Sequence, residues 1–302
     1  MKYRIYSDNA AFQGLETLKA NRNKRHGRRA FFVEGVRSIN AADRYGWRID
    51  AFICDGGAKL SGWARDMLDR NKAVDIYELK SGLMKELSSK TDASELIAIV
   101  HMRDGGGGDN HDARGSGGGA RDAFLVDNAQ NELPDSHSPP ANPVYVLFDR
   151  PSGKGNLGAL LRSCDAFGVN KLYCAGHSVD IYDPEVIASS TGSFFTVPFE
   201  LLSKADEIDK LIDGLRREHP GLLVAGTSAH AAQSAYDADL GGPLLLLIGN
   251  ESDGLSWRLK HLADALISIP MSPVSYATSL NVSCAATALL YEAFRRRRGA
   301  NP

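Results

Sequence analysis

An unbroken aliphatic run, Leu244 to Ile248, stops at Gly249-Asn250. Such a run offers no polar face to water, so it fits a strand covered on both sides, as in the parallel sheets of α/β proteins. The polar stretch that follows, from Glu251 to Ser256, has no evident packing role. A second segment repeats the plan. Ile267-Ser-Ile-Pro270 leads into a polar loop, and apolar residues then recur at Val282, Ala285, Ala286, Leu289, Leu290 and Phe294. That spacing is helical, with Thr278 or Ser279 placed to cap the first turn. Polar loops at the ends of buried strands are where an α/β sheet puts its ligand. The site is expected between these two segments.

The rest of the chain extends the same alternation. Residues 1–30 are polar and helical in tendency, and carry a basic run of Arg22, Lys24, Arg25, Arg28 and Arg29. That run suits either a solvated helix face or an arm that contacts RNA phosphates. From Phe31 to Met102, strand-like and helix-like stretches alternate, which predicts a small α/β sandwich with its own core. Gly, Ser, Asp and Pro dominate 103–142 around a short apolar island at Phe124–Val126, which predicts a flexible linker between domains that move relative to one another. Repeated βα units from Val144 onward predict a second, mostly parallel sheet covered on both faces. The expected division is therefore 1–102, linker 103–142, and 143–302.

Composition bounds the function. A net charge of −2 leaves no global basic field, so any nucleic-acid surface must be a local patch. The four cysteines are scattered without a CxxC and the eight histidines do not cluster, which argues for free thiols in a cytoplasmic protein and for no metal. No stretch is apolar for long enough to cross a membrane.

Gly153-Lys-Gly155-Asn-Leu-Gly158 follows a strand and opens a helix, and Asp180 lies where a ribose-binding acid would be wanted. By pattern this is a dinucleotide fingerprint. Against it, Arg150-Pro151-Ser152 separate the first glycine from the strand, whereas the fingerprint turns directly off the strand. A dinucleotide-dependent enzyme is the weaker reading.

Three segments together resemble the motifs of the SpoU (TrmH) branch of the SPOUT methyltransferases: NLGALLRSCDAFGV (156–169), LLIGNESDGLS (246–256) and IPMSPVSYATSLNVSCAATALLYEAFR (269–295). FFVEGVRSI (31–39) is similar to part of the L30e-like substrate-binding domain of such enzymes. The resemblance implies a C-terminal α/β domain with a trefoil knot, a topology otherwise nearly absent from proteins, behind an L30e-like α/β sandwich. It implies S-adenosylmethionine as cofactor, a homodimer, and methylation of a ribose 2′-hydroxyl in RNA, with ribosomal RNA favoured over transfer RNA. A fold-sharing RNA binder that has lost activity is the alternative, although Arg162 and Ser279-Leu280-Asn281 are all present.

Position by position, the resemblance implies cofactor contacts at Thr227, Gly249, Asn250, Ile269 and Leu280, and active-site roles for Asn156, Arg162, Glu251, Ser279 and Asn281. Each has a plainer reading. Asn156 and Ser279 suit helix caps, Glu251 an exposed turn, Gly249 a turn glycine and Arg162 a surface helix. A guanidinium is not expected to give up its proton, so Arg162 is better suited to gripping a phosphate and balancing charge on the attacking oxygen. Glu251 is expected to pair with it.

Overall fold

The computed structural model describes residues 1–103 and 142–299. The linker region and its Phe124–Val126 island therefore lie outside the described residues, Arg103 and Asn142 at its ends excepted.

The N-terminal part holds strands β1 (Lys2–Ile5), β2 (Ala30–Glu34), β3 (Ile49–Asp55), β4 (Asp75–Leu79) and β5 (Leu96–His101), with helices α1 (Ala10–Ala20), α2 (Arg22–Arg28), α3 (Val36–Arg44), α4 (Gly62–Arg70) and α5 (Ser81–Leu87). Its sheet runs β1-β4-β3-β5-β2, parallel on the β1 side and antiparallel where β5 joins β3 and β2. Strand β1 corrects the expectation of an all-helical start. Three of its four residues are exposed, so this edge strand carries no alternating apolar pattern to reveal it.

The C-terminal part holds β6 (Val144–Asp149), β7 (Lys171–Ala175), β8 (Phe199–Leu202), β9 (Leu223–Thr227), β10 (Gln233–Ser234), β11 (Leu244–Ile248) and β12 (Ala265–Ser268). Its helices are α6 (Lys154–Ala166), α7 (Pro184–Ser190), α8 (Ala205–Glu218), α9 (Trp257–Leu262) and α10 (Val282–Gly299). The strand order is β10-β12-β9-β11-β6-β7-β8, with every pairing parallel. β11 sits between β9 and β6, and its two faces enter two separate cores. Leu244, Leu246 and Ile248 face one; Leu245 and Leu247 face the other. The unbroken aliphatic run is thereby explained. Ile248 pairs with Phe148, so β6 and β11 end level and their following loops emerge side by side.

The two parts share one core. Phe31 and Trp47 from the first part pack against Tyr182, Phe194 and Phe195 from the second, with ring centroids 5.0 Å apart for Phe31–Tyr182 and 5.4 Å for Trp47–Phe194. The Trp47 indole N–H donates to the Phe195 carbonyl at 3.2 Å. Gly192 has φ 102°, and a Cβ there would lie 3.3 Å from both Ala41 Cβ and the Arg37 carbonyl oxygen, so the backbones approach as closely as glycine allows.

Arg25 is the polar member of this interface, and its expected role as an RNA contact is corrected. It is 1% exposed. Its Nε donates to Asp180 at 2.8 Å, Nη2 to Asp183 at 3.3 Å and Nη1 to the Lys19 carbonyl at 2.6 Å. Helical period gives no warning of this burial, because the partners lie 155 and 158 residues away. Arg22, Lys24, Arg28 and Arg29 are exposed, and Arg22 donates to the Ser178 carbonyl.

Removing one partner of a buried pair strands the other charge, at a cost of about 3–5 kcal/mol. Arg25→Met should lower unfolding free energy by about that much in urea titration; a change below about 1 kcal/mol would mean that water reaches the two aspartates.

Candidate active site

The loops after β6 and β11 are bound to each other from their first residues. Asp149, 4% exposed at the end of β6, accepts from the Ser256 N–H at 2.7 Å and from Arg150 Nε at 3.1 Å. Arg150 is left-handed at φ 49°, an uncommon state for a residue with a Cβ, and Asn250 Nδ2 donates to its carbonyl at 2.7 Å. The loop after β11 folds back on itself. Asn250 and Gly254 exchange backbone hydrogen bonds of 3.0 Å, and a Cβ on Gly249 would sit 2.3 Å from Gly254 C and Leu255 N. Gly249 is thus required by its own chain's close approach.

Glu251 projects from this turn to the start of α6. Its carboxylate accepts from the Ser152 N–H (3.0 Å), the Ser152 hydroxyl (2.7 Å), the Gly153 N–H (2.8 Å) and Asn156 Nδ2 (3.2 Å). A Cβ on Gly153 would lie 2.9 Å from Glu251 Oε1 and 2.8 Å from Asn156 Nδ2, so that glycine makes room for the carboxylate. Anions are favoured at a helix N-terminus, where N–H groups lack partners within the helix. Partial burial pushes the Glu251 carboxyl up, but the Ser152 hydroxyl and the backbone N–H donors outweigh it and hold it at about 2.

Asn156 extends the network. Its Oδ1 accepts from Asn281 Nδ2 at 3.0 Å, while Asn281 Oδ1 accepts from the Ser283 N–H at 2.9 Å and the Ser283 hydroxyl at 2.6 Å. Asn156, Glu251 and Asn281 therefore join the three segments singled out in the sequence. Two expected caps are corrected. Asn281, rather than Ser279 or Thr278, receives the first N–H groups of α10, and Asn156 makes no cap bond to α6.

Arg162 stands apart. It is exposed on α6, about 9 Å along the axis from Asn156 at a helical rise of about 1.5 Å per residue. Among the described residues it makes no hydrogen bond or ion pair, and the expected pairing with Glu251 is absent because that carboxylate is committed to the α6 start. Ser279 is exposed outside the network. Thr227 ends β9 beside Ile267, Ile269 packs partly against the core, and Leu280 is 43% exposed at the end of an exposed loop.

Two of the three glycines of the GxGxxG stretch serve packing. Gly153 accommodates Glu251, and a Cβ on Gly158 would lie 2.5 Å from Ser189 Cβ on α7. Asp180, the candidate ribose acid, is 7% exposed and held by Arg25, His26 and the Tyr182 N–H. Sequence reasoning missed Ser152 and Gly153 as the anchors of Glu251. A serine and a glycine just ahead of a helix start were the available signal.

A parallel α/β sheet with a polar network across its strand-end loops, joined to a second α/β part whose helix α2 bears exposed Arg22 and Arg28, puts the chain among α/β proteins with a site at the carboxyl ends of the strands. Residues 143–291 match the SpoU rRNA Methylase family and residues 9–98 the SpoU L30e-like domain. The chain is 38% identical over 295 residues to the 23S rRNA (uridine(2479)-2′-O)-methyltransferase of Streptomyces viridochromogenes, covering 97% of this chain and 92% of that one. It is similar to the crystal structure of the SpoU methyltransferase AviRb from the same organism in complex with the cofactor AdoMet, with a TM-score of 0.77 and 37% identity over 96% of this chain and 98% of that one. A crystal structure of an RNA 2′-O ribose methyltransferase matches with a TM-score of 0.73 and 28% identity, over 98% and 100% of the two chains. The chain belongs to the SpoU methylase family.

The depressed Glu251 pKa carries a sign. The carboxyl falls from the ordinary 4.5 to about 2 on folding, so its contribution to stability is full above 4.5 and is lost as pH falls toward 2. Unfolding free energy measured between those limits should drop more steeply with acid in the native protein than in Glu251→Gln, and parallel curves would contradict the assignment.

Proposed function

We propose that this protein transfers a methyl group from S-adenosylmethionine to a ribose 2′-hydroxyl of ribosomal RNA, as a homodimer in the cytoplasm. The observation that carries the reading is the Glu251–Asn156–Asn281 network, which ties all three family segments together, with Arg162, unpartnered among the described residues, on the same helix as Asn156. The Streptomyces relative, similar over nearly the whole chain, acts on 23S rRNA, which supports ribosomal RNA as the substrate.

The residues present suit the cofactor. Gly249 lets the turn after β11 fold back on itself, and Ile269 and Leu280 bring apolar surface at the ends of an exposed loop. In this reading Thr227, Gly249, Asn250, Ile269 and Leu280 hold the cofactor, and the segment from β11 to α10 forms the family's trefoil knot. When bound, S-adenosylmethionine supplies a methyl already activated by its sulfonium, so the reaction calls for no metal.

The chain's own task is to place and prepare the hydroxyl. Glu251 is a fixed anion rather than a base: at about 2 it stays ionised, and its oxygens are already engaged by four donors. In this reading Arg162 grips an RNA phosphate with its guanidinium and balances negative charge developing on the 2′ oxygen. Ser279 and Asn281 border that space. Residues 1–102 bind RNA through Arg22, Lys24, Arg28 and Arg29, and 143–302 form the catalytic domain.

Arg162→Ala should abolish methylation of ribosomal RNA while changing S-adenosylmethionine affinity by no more than about three-fold, as expected when a transition-state contact is removed. Single-turnover methylation and calorimetry would measure both, and near-normal turnover would remove Arg162 from the chemistry.

A further inference from the structure

The first residue of α6 has an unfavourable address. Lys154 lies in the first turn, where the positive end of the helix dipole opposes an ammonium. It also follows Gly153, whose N–H holds Glu251. Local rules broken in this way, next to a site, are most often broken for function.

Two carboxylates compensate Lys154. Its Nζ is 3.2 Å from Asp183 Oδ2 and 3.8 Å from Glu185 Oε2. Asp183 is the better placed, with its side chain 13% exposed against 62% for Glu185. Asp183 is itself fixed from two further directions. Oδ1 caps α7 by accepting from the Glu185 N–H at 3.0 Å, and Oδ2 accepts from the buried Arg25 Nη2 at 3.3 Å. A single oxygen therefore meets Arg25 on α2 of the N-terminal part and Lys154 at the start of the catalytic turn.

We propose that Asp183 is a positioning residue for methyl transfer, holding Lys154, and with it the Ser152–Asn156 turn, in register with the N-terminal part through Arg25. This rests on the reading that the turn belongs to the active site. The turn has reason to need a tether. Gly153 gives α6 no side-chain cap, and a Cβ on Gly155 would meet nothing within 4 Å, so the Gly155 side of the turn has no packing against it. The other side-chain anchors of the turn, Glu251 and Asn281, come from the C-terminal loops and carry no information about where RNA sits on the other part. Displacement in line tolerates little misplacement, so alignment of the two parts bears directly on rate.

The test uses the full-length protein. Lys154→Met removes the ammonium from a side chain that is 43% exposed and keeps its aliphatic stem, so folding should survive. The expected result is a roughly ten-fold fall in kcat on ribosomal RNA, with KM for RNA and calorimetric affinity for S-adenosylmethionine each within about two-fold. Lys154→Arg should restore kcat, since it restores the cation facing Asp183. Asp183→Asn should reproduce the kcat loss wherever it folds. Unchanged kcat in Lys154→Met overturns the proposal. So does a raised KM for RNA at unchanged kcat, which would make Lys154 a phosphate contact, or a loss that Lys154→Arg does not restore. Should Arg162→Ala be inactive while Lys154→Met is normal, this inference falls and the site reading stands. Should Arg162→Ala retain turnover, the site reading itself falls.

Discussion

A carboxylate placed at the mouth of a helix organises this site. Glu251 arrives from the loop after β11 and meets a run of donors at the start of α6, none of which has a partner inside its own helix. Hydrogen bonds to a charged acceptor contribute about 1.5–3 kcal/mol each, against about 0–1 for an exposed ion pair. That difference explains why Glu251 is held here and does not reach out to Arg162. Among the described residues its commitment leaves the Arg162 guanidinium without a carboxylate, and leaves Asn156 oriented by two neighbours, with one face given to Glu251 and the other to Asn281.

The arrangement depends on the register of two strands. Because β6 and β11 are paired in parallel and end at Phe148–Asp149 and Ile248, their loops begin level with one another. Asp149 then ties the second loop back through the Ser256 N–H, and Gly249 lets that loop close on itself. A shift of one residue would turn Leu244, Leu246 and Ile248 to the opposite core and carry Glu251 away from Ser152.

Much of this was legible in the sequence. The aliphatic run from Leu244 marked a central strand, and the loop segments around Asn156, Glu251 and Asn281 were recognisable and do converge. Two misses come from pairing between residues far apart in the chain, which local periodicity does not register. Glu251 finds Gly153 across 98 positions and Arg25 finds Asp180 across 155. That is why Arg25 looked like a surface cation. The cap of α10 was misplaced for a local reason: Thr278, Ser279 and Asn281 are all capping types within four positions, and the sequence alone does not say where the helix starts.

The shared aromatic core has a bearing on how such a protein changes over generations. Phe31 and Trp47 are enclosed by Tyr182, Phe194 and Phe195, and Gly192 admits the backbone of α3. A recombination event that exchanged the first hundred residues for a foreign module would expose these rings and take Arg25 away from both Asp180 and Asp183. Point changes on the outer helix faces, such as those bearing the exposed Lys24 and Arg28, leave that core intact, whereas the shuffling of whole modules does not.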